Sequence, residues 1–496
     1  MERARLSLVV QGQAERNVVT KTKKQYLSKC KVLTNILNKD EDIRKEALVT
    51  NEDGEAIKHT GEAKDIYVMK LPIDVAVAKL LFAAISIDED LPKRGNKRKR
   101  RDEIITEGEV EATSSDHVEV DSQYDMNPGK DKVTVSAQAY QNYKSALRWW
   151  HQYDCPSMGK VGYPWPGDVD MALCASIATY KRDVGSKKRN GIMKSREGKS
   201  AFNLHGYKAI CRYFKKMKPT KKGQSWHEGI FASLFTTKSV STIGRSDNVD
   251  DVITTNMDWS NDAMTIKFGT TKTDQAGTMT SDIKRIYANP FAPEICPLLD
   301  LAVYVFCIHR TSVEDAKYLF AGNDQNKRYY SLLVDAVRNG IDKSLDLGCA
   351  REDIGTHSNR KFAESTSVSK LDGPSRTQVC LRAGQEVGRT QECYMFSEAV
   401  GRTTSQLNFT ADEFDVLCPH FGQSTLMELE RYGWNKILPS YDYYPQCFQR
   451  VIRFLFALIV FHHHRGALVD LYDPEHPIFR QPIFTDCTLL NSLKEK

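Results

Sequence analysis

The residues best suited to chemistry lie in Gly355–Ala363, which reads GTHSNRKFA. His357 and Arg360 are three positions apart, so in a helix their side chains would share a face. A planar guanidinium beside an imidazole suits an oxyanion such as phosphate. The same spacing also occurs in helices whose two polar residues simply face solvent, so the motif gains meaning only with partners elsewhere in the chain.

Three further residues fit phosphate chemistry at sensible places along the chain. Arg245 precedes His357 by 112 residues, Lys272 follows Arg245 by 27 residues, and Tyr394 lies beyond the His-x-x-Arg motif. Alternating strands on either side of Lys272 predict that it lies near the tip of a β-hairpin. Each residue also has an ordinary explanation: Arg245 as an ion pair with Asp247, Lys272 as a turn lysine, and Tyr394 as one of 21 tyrosines.

This order resembles that of the tyrosine recombinases, also called phage-type integrases. Their pattern is Arg, a hairpin Lys, His-x-x-Arg, a His or Trp, and then the nucleophilic Tyr. The recombinase pattern covers about residues 20–410. The sequence is closer still to the recombinases of Crypton-type eukaryotic mobile elements, and the segments that carry this closer likeness are GRSDNVDDV, TTKTDQAG, YANPFAPEICPLLDLAVYVF, GTHSNRKFA, GRTQECYMFSEAVGRT and RVIRFLFALIVFHHHRG.

The resemblance implies a site-specific recombinase or integrase that breaks and rejoins DNA strands through a covalent 3′-phosphotyrosine. Arg245, Arg360 and His357 would stabilise the charge on the phosphate, since such donors act where negative charge develops. Tyr394 would be the nucleophile, and Lys272 the general acid. The reaction would need no metal, ATP or other cofactor. Its partner would be double-stranded DNA, on which such enzymes act as homo-tetrameric synapses.

One position departs from the family pattern. The His or Trp that precedes the Tyr by nine residues falls here on Gln385. Its amide can donate a hydrogen bond but carries neither a positive charge nor an indole. Two functions therefore stay open: an active recombinase, and a domesticated, catalytically impaired DNA-binding protein with a regulatory role.

A basic segment supports DNA binding independently of the motif. Residues 181–222 hold fifteen Lys and Arg against two acidic residues, although the formal net charge of all 496 residues is only +6. Basic density spread over a loop and helix ends is typical of a surface that binds a phosphate backbone. The predicted contacts are Lys187, Lys188, Arg189, Lys194, Arg196, Lys199, Lys215, Lys216 and Lys218.

Hydrophobic periodicity predicts a mainly helical chain with a small antiparallel sheet. The resemblance implies an α+β fold that is mainly α, in which a helical DNA-clamp domain precedes a mixed catalytic domain that holds this sheet. The clamp would comprise residues 1–89 and 132–222, separated by a disordered charged insert at 90–131. The catalytic domain would cover 223–410. Residues 411–496 would form a helical accessory segment.

Composition points to a nuclear protein. The run KRGNKRKRR at 93–101 is typical of a nuclear localisation signal, although solvated charge runs look alike. The twelve Cys form no Cys-x-x-Cys pair, the adjacent His462, His463 and His464 do not suit one metal ion, and no site for a metal is predicted. With no phosphate-loop motif, no secretory signal and no apolar run of membrane-spanning length, a motor or a membrane protein is not expected.

Overall fold

The computed structural model describes residues 20–60, 63–87, 136–151, 164–193, 198–219, 225–250, 252–268, 283–320, 322, 324–370, 373–385, 403–404 and 418–493. These residues are mainly helical and include one three-stranded antiparallel sheet. The predicted class, α+β and mainly α, is therefore confirmed. The charged insert predicted at 90–131 lies outside the described residues.

The chain divides into two compact units, Met1–Glu197 and Gly198–Lys496. The boundary therefore lies about 25 residues before the one predicted at 222. Residues 204–215, assigned to the clamp from sequence, pack in the core of the second unit. The C-terminal residues from 418 onward, predicted as part of a helical accessory segment, pack in that same core.

The first unit is built from helices with a buried apolar face. They are α1 (Thr20–Leu37), α2 (Glu41–Ala47), α3 (Val75–Ile87), α4 (Ala137–Trp149) and α5 (Gly167–Arg189).

Aromatic residues of α4 belong to the core of this unit. Tyr140, Tyr143 and Trp150 are buried, and the Tyr140 hydroxyl donates to the Phe82 carbonyl at 2.8 Å. The Ser136 hydroxyl accepts from the Ala139 amide at 3.1 Å and so caps the N-terminus of α4.

Helix α5 is longer than its apolar pattern predicts. The sequence indicated a helix over 168–184 followed by a polar loop, but the helix continues to Arg189 through Gly185. Its last turn holds Lys187, Lys188 and Arg189. Cations there are favourable because the helix dipole is negative at its C-terminus.

The second unit is built around a helix that is buried along most of its length. Its elements are α6 (Leu204–Lys215), α7 (His227–Thr242), α8 (Ser246–Asp250), β1 (Met257–Ser260), β2 (Ala263–Lys267), β3 (Ile283–Ile286), α9 (Pro297–Cys307), α10 (Val313–Lys317), α11 (Gln325–Asp335), α12 (Thr356–Ser369), α13 (Arg376–Arg382), α14 (Gln423–Tyr432), α15 (Trp434–Ile437), α16 (Gln446–His464), α17 (Ala467–Leu471), α18 (Pro482–Thr485) and α19 (Cys487–Ser492).

Helix α7 is the centre of this unit. Every residue from Gly229 to Thr242 is buried, and α6, α9 and α12 pack around it. Gly229 lets α6 approach closely, because a Cβ there would lie 2.5 Å from the backbone oxygen of Phe214. A helix buried on all sides is a rigid base for residues at its ends.

The sheet has the order β1-β2-β3 with antiparallel pairing throughout. The predicted hairpin of β2 and β3 is confirmed, with Met264 opposite Ile286. Strand β1, which the sequence did not predict, pairs Met257 with Ile266. Residues 269–282, including Lys272, lie outside the described part of the chain.

Helix α16 is amphipathic and joins the core. It packs against α9 and β1, where the Phe454 ring stacks on Trp259 with centroids 3.9 Å apart. Arg450 also pairs with Asp258 at 2.7 Å. These contacts explain why the C-terminal residues belong to the second unit.

Candidate functional site

The His-x-x-Arg motif lies on the first two turns of α12. The helix begins after Gly355, whose amide donates to the Ser358 hydroxyl at 3.0 Å, and the Ser358 amide donates back to the Gly355 carbonyl at 2.8 Å. The helix predicted for this motif is thus present. His357 is exposed, whereas Arg360 is only 9% exposed.

Arg360 is held by one edge of its guanidinium. Its Nε donates to Glu364 Oε1, one turn later in α12, at 2.8 Å. Its Nη1 is buried and has no hydrogen-bond partner among the described residues. A buried N–H without a partner is costly, so an anion accepting from Arg360 would be stabilised here.

Gln385 reaches the same carboxylate from another element. Its Nε2 donates to Glu364 Oε1 at 3.1 Å. The turn after α13 places it there: Gly384 adopts φ +63°, its amide donates to Leu381 O, and the Gln385 amide donates to Cys380 O. This is a Schellman ending, which favours glycine because of the left-handed φ. Two residues predicted for the site thus share one oxygen atom.

A buried arginine joins α13 to the end of α7. Arg382 is 1% exposed, and its Nε and Nη2 donate to the Ser241 carbonyl at 3.2 and 2.7 Å. Its Nη2 also lies 2.7 Å from the Arg285 carbonyl in β3. Thr404 donates its hydroxyl to the same Ser241 carbonyl at 2.8 Å. Segments distant in sequence therefore converge on the last turn of α7.

Arg245 follows that convergence point by four residues. Helix α7 ends with Ile243 at φ 50°, and Arg245 precedes α8, where its carbonyl accepts from the Val249 amide at 3.0 Å. Its side chain is partly buried. The chain of contacts from Ser241 through Arg382 and α13 therefore connects the Arg245 segment to Gln385.

The two residues assigned to attack and to proton donation lie outside the described residues. Tyr394 falls between Gln385 and Thr403, and Lys272 falls between β2 and β3. The described residues flanking Tyr394 contact Glu364 and, through Thr404, the end of α7.

One predicted DNA contact is wrong. The side chain of Lys215 is inaccessible and pairs with the buried Asp300, with Nζ 2.5 Å from Oδ1. Its Nζ also donates to the Ser233 hydroxyl at 2.8 Å. A lysine enclosed in this way cannot reach a DNA backbone.

Two other predicted contacts in the second unit have local partners. Lys199 packs against Gly355, where a Cβ would lie 2.9 Å from Lys199 Cε, and its Nζ donates to the Glu352 carbonyl. Lys218 pairs with Asp473 at 2.7 Å, and this carboxylate raises the pKa of Lys218. Lys216 is exposed.

The remaining predicted contacts lie near the end of the first unit. Lys187 pairs with Asp183 at 2.9 Å, Lys188 is partly buried, and Arg189 is exposed. Lys194 and Arg196 lie outside the described residues. The exposed Arg189 and the partly exposed Lys187 and Lys188 remain compatible with a DNA contact.

Sequence reasoning missed two residues that shape the site, Glu364 and Arg382. Glu364 carried a weak signal, since a carboxylate four residues after an arginine pairs with it on a helix. Arg382 carried none, because its partners are carbonyls more than 90 residues away in the chain.

Elsewhere in the described ranges, no three His, Cys, Asp or Glu side chains are grouped as metal ligands would be. No helix in the part of the chain that the structure describes is long and apolar enough to cross a bilayer. His462, in the triple-histidine run, is 1% exposed and is a core residue of α16, and this burial lowers its pKa to about 4.

The chain matches no protein-family model, and no curated protein matches it. Its function therefore has to be inferred from the contacts of its own residues.

Proposed function

We propose that this chain is a tyrosine-type DNA recombinase or integrase of mobile-element origin, which breaks and rejoins DNA strands through a covalent 3′-phosphotyrosine. The observation that supports it most is the shared carboxylate of Glu364. Arg360 and Gln385 were assigned to one site from separate motifs, and they lie 2.8 and 3.1 Å from the same oxygen atom.

The electrostatics of Arg360 suit a phosphodiester. The pentacoordinate transition state gathers negative charge on its non-bridging oxygens, and preformed donors stabilise that charge. Nη1 of Arg360 is buried and has no hydrogen-bond partner among the described residues. The hydrogen bond from Nε to Glu364 fixes the position of the guanidinium. In the proposal Arg245 is the second clamp and the exposed His357 a further donor.

The proposed step balances without any cofactor. The phenol oxygen of Tyr394 forms a bond to phosphorus and its proton passes to water, while the bond from phosphorus to the 5′-oxygen breaks. The leaving 5′-oxygen takes a proton from Lys272 as general acid. The phosphotyrosine keeps the energy of the phosphodiester, so reversal by another 5′-hydroxyl rejoins strands.

The partners in this proposal are double-stranded DNA and further copies of the chain in a tetrameric synapse. Lys187, Lys188 and Arg189 on α5 and the exposed Lys216 are the described cations offered for the backbone. The proposed location is the nucleus, which the basic run at 93–101 supports.

The direct test is capture of the covalent intermediate. Purified full-length protein is incubated with random-sequence duplexes carrying a nick, so that cleavage near the nick releases a short strand and traps the adduct. We expect detergent-stable protein–DNA adducts that resist chelators, and none from Tyr394→Phe. Tyr330→Phe is a matched control, since Tyr330 is an exposed tyrosine on α11. Adducts from Tyr394→Phe at the wild-type level would refute the assigned nucleophile.

The alternative is a catalytically impaired DNA-binding regulator with the same fold. The observation that favours it is that the Gln385 amide donates to Glu364, and Arg360 donates its Nε to the same acid. A carboxylate bound to the clamp reduces its positive charge. DNA binding without any adduct, across the whole random pool, would select this alternative.

A further inference from the structure

We propose that Glu364 is a positioning residue for strand transfer: one oxygen of its carboxylate holds Arg360 and Gln385 together, so that the two act as a unit. The inference rests on the proposed function. It assigns a role to a residue that the recombinase pattern does not include.

The contact with Arg360 fixes the orientation of the guanidinium. An arginine side chain has several rotatable bonds, but its guanidinium is planar, so holding Nε restricts where both Nη atoms point. Arg360 is 11% exposed in its side chain and Glu364 27%. Because Nε is taken by Glu364, the Nη side of the group is left to meet an anion, and Nη1 has no other partner among the described residues.

The contact with Gln385 explains how an uncharged amide can occupy this position. A His or a Trp there would also present a ring N–H, and all three side chains need an acceptor for that hydrogen. Glu364 Oε1 is such an acceptor at 3.1 Å from Gln385 Nε2. The Schellman ending of α13 supplies a fixed backbone for Gln385.

Positioning and inhibition by Glu364 make opposite predictions. If Glu364 positions Arg360, its loss lets the guanidinium move, and the reaction slows. If Glu364 only competes with phosphate for Arg360, its loss frees the arginine, and both DNA affinity and reaction rate rise. The unpartnered Nη1 favours positioning, because Glu364 occupies a different edge of the guanidinium.

The kinetic test compares variants by single-turnover adduct formation on a nicked duplex recovered from the random pool. We expect Glu364→Ala to slow the reaction about 10- to 100-fold, as small displacements of catalytic groups do, with DNA affinity changed less than about threefold. Glu364→Gln keeps an acceptor oxygen and should recover most of the rate. The matched control is Glu430→Ala, which removes a glutamate paired with Arg453 at 2.7 Å between α14 and α16.

The coupling is tested by a double-mutant cycle. Gln385→Ala should slow the wild type yet change the Glu364→Ala protein less than about twofold, since both substitutions break one unit. Faster adduct formation by Glu364→Ala, or independent effects of the two substitutions, would overturn the inference. Absence of adducts from wild type would instead refute the proposed function, and the role of Glu364 in strand transfer with it.

A spectroscopic readout tests the shared oxygen without cleavage. In ¹H–¹⁵N spectra of the full chain, the Arg360 Nε–H resonance is assigned by its loss in Arg360→Lys. It should shift in Glu364→Ala and also in Gln385→Ala, because both change the oxygen that accepts from Nε. A resonance unmoved by Gln385→Ala would show that the two groups do not share Glu364.

Discussion

Lys215 and its neighbour Lys216 provide a sharp test of which basic residues serve the fold and which are free to meet DNA. The two are adjacent at the end of α6, but Lys215 is enclosed and Lys216 is exposed. Lys215 Nζ lies 2.5 Å from Asp300 Oδ1 and 2.8 Å from Ser233 Oγ. The other oxygen of Asp300 accepts from the Thr237 hydroxyl at 2.9 Å.

The loss of stability expected for Lys215→Met follows from the group that the substitution leaves without a partner. Methionine fills nearly the same volume, so the main cost is a buried Asp300 carboxylate without its counter-ion. Removing one partner of a buried pair typically costs about 3–5 kcal/mol. Replacing both, as in Lys215→Met with Asp300→Leu, should recover at least about 2 kcal/mol of that loss. Thr237 then keeps its second acceptor, the Ser233 carbonyl at 3.1 Å.

Two measurements separate the roles of the lysines. Urea denaturation of the full chain gives the loss of stability, which we expect for Lys215→Met and not for Lys216→Ala. The salt dependence of DNA affinity reports how many phosphates the protein neutralises, and removing one lysine–phosphate pair lowers the slope by about 0.9. That change is expected for Lys216→Ala and not for Lys215→Met. A Lys215→Met protein of wild-type stability with a reduced slope would refute the assignment of Lys215 to the core.

Two further predictions concern the packing and the titration of the second unit. Gly229→Ala should destabilise the chain by about 1–3 kcal/mol in urea denaturation, because the added Cβ would lie 2.5 Å from the carbonyl oxygen of Phe214. The control is Gly185→Ala in α5. It should be neutral or stabilising in the same measurement, because a Cβ there would meet open space. Burial lowers the pKa of His476 to about 3 and that of His462 to about 4, so at intermediate pH the unfolded chain binds protons that the folded chain does not. The free energy of unfolding should therefore decrease as the pH is lowered, by about 2 kcal/mol per histidine between pH 7 and pH 5. His476→Gln should remove the part of this decrease that His476 causes. Equal denaturation midpoints at the two pH values would contradict this.

The sequence predicts those parts of the fold that depend on local patterns. Periodic apolar residues are enough to predict α1, α4 and α16, and alternation is enough for the hairpin of β2 and β3. A capping serine before α4 was likewise readable. Elements that form only through contacts with distant residues were missed. An example is β1, which has only four residues and is stabilised by its pairing with β2.

The candidate site also contains residues whose placement local sequence predicts and residues whose placement depends on distant partners. The helical placement of His357 and Arg360 follows from local sequence. The burial of Lys215 does not, because it depends on Asp300, 85 positions further along the chain. Basic density counts every lysine alike, so it cannot distinguish a lysine in the core from one on the surface. The domain boundary was misplaced for a related reason, since α6 has the basic composition of the clamp but packs on α7.

The Ser241 carbonyl explains why the candidate site could not be assembled from motifs alone. The last turn of a helix leaves carbonyls without intrahelical partners, and buried ones must be satisfied by other groups. Here the side chains of Arg382 and Thr404 donate to that carbonyl, although they lie 141 and 163 positions away. Because the same turn precedes Arg245, the element that carries Gln385 is fixed to the one that carries Arg245. A substitution of Arg382 should thus disturb the site through its framework, without removing any group that would meet DNA.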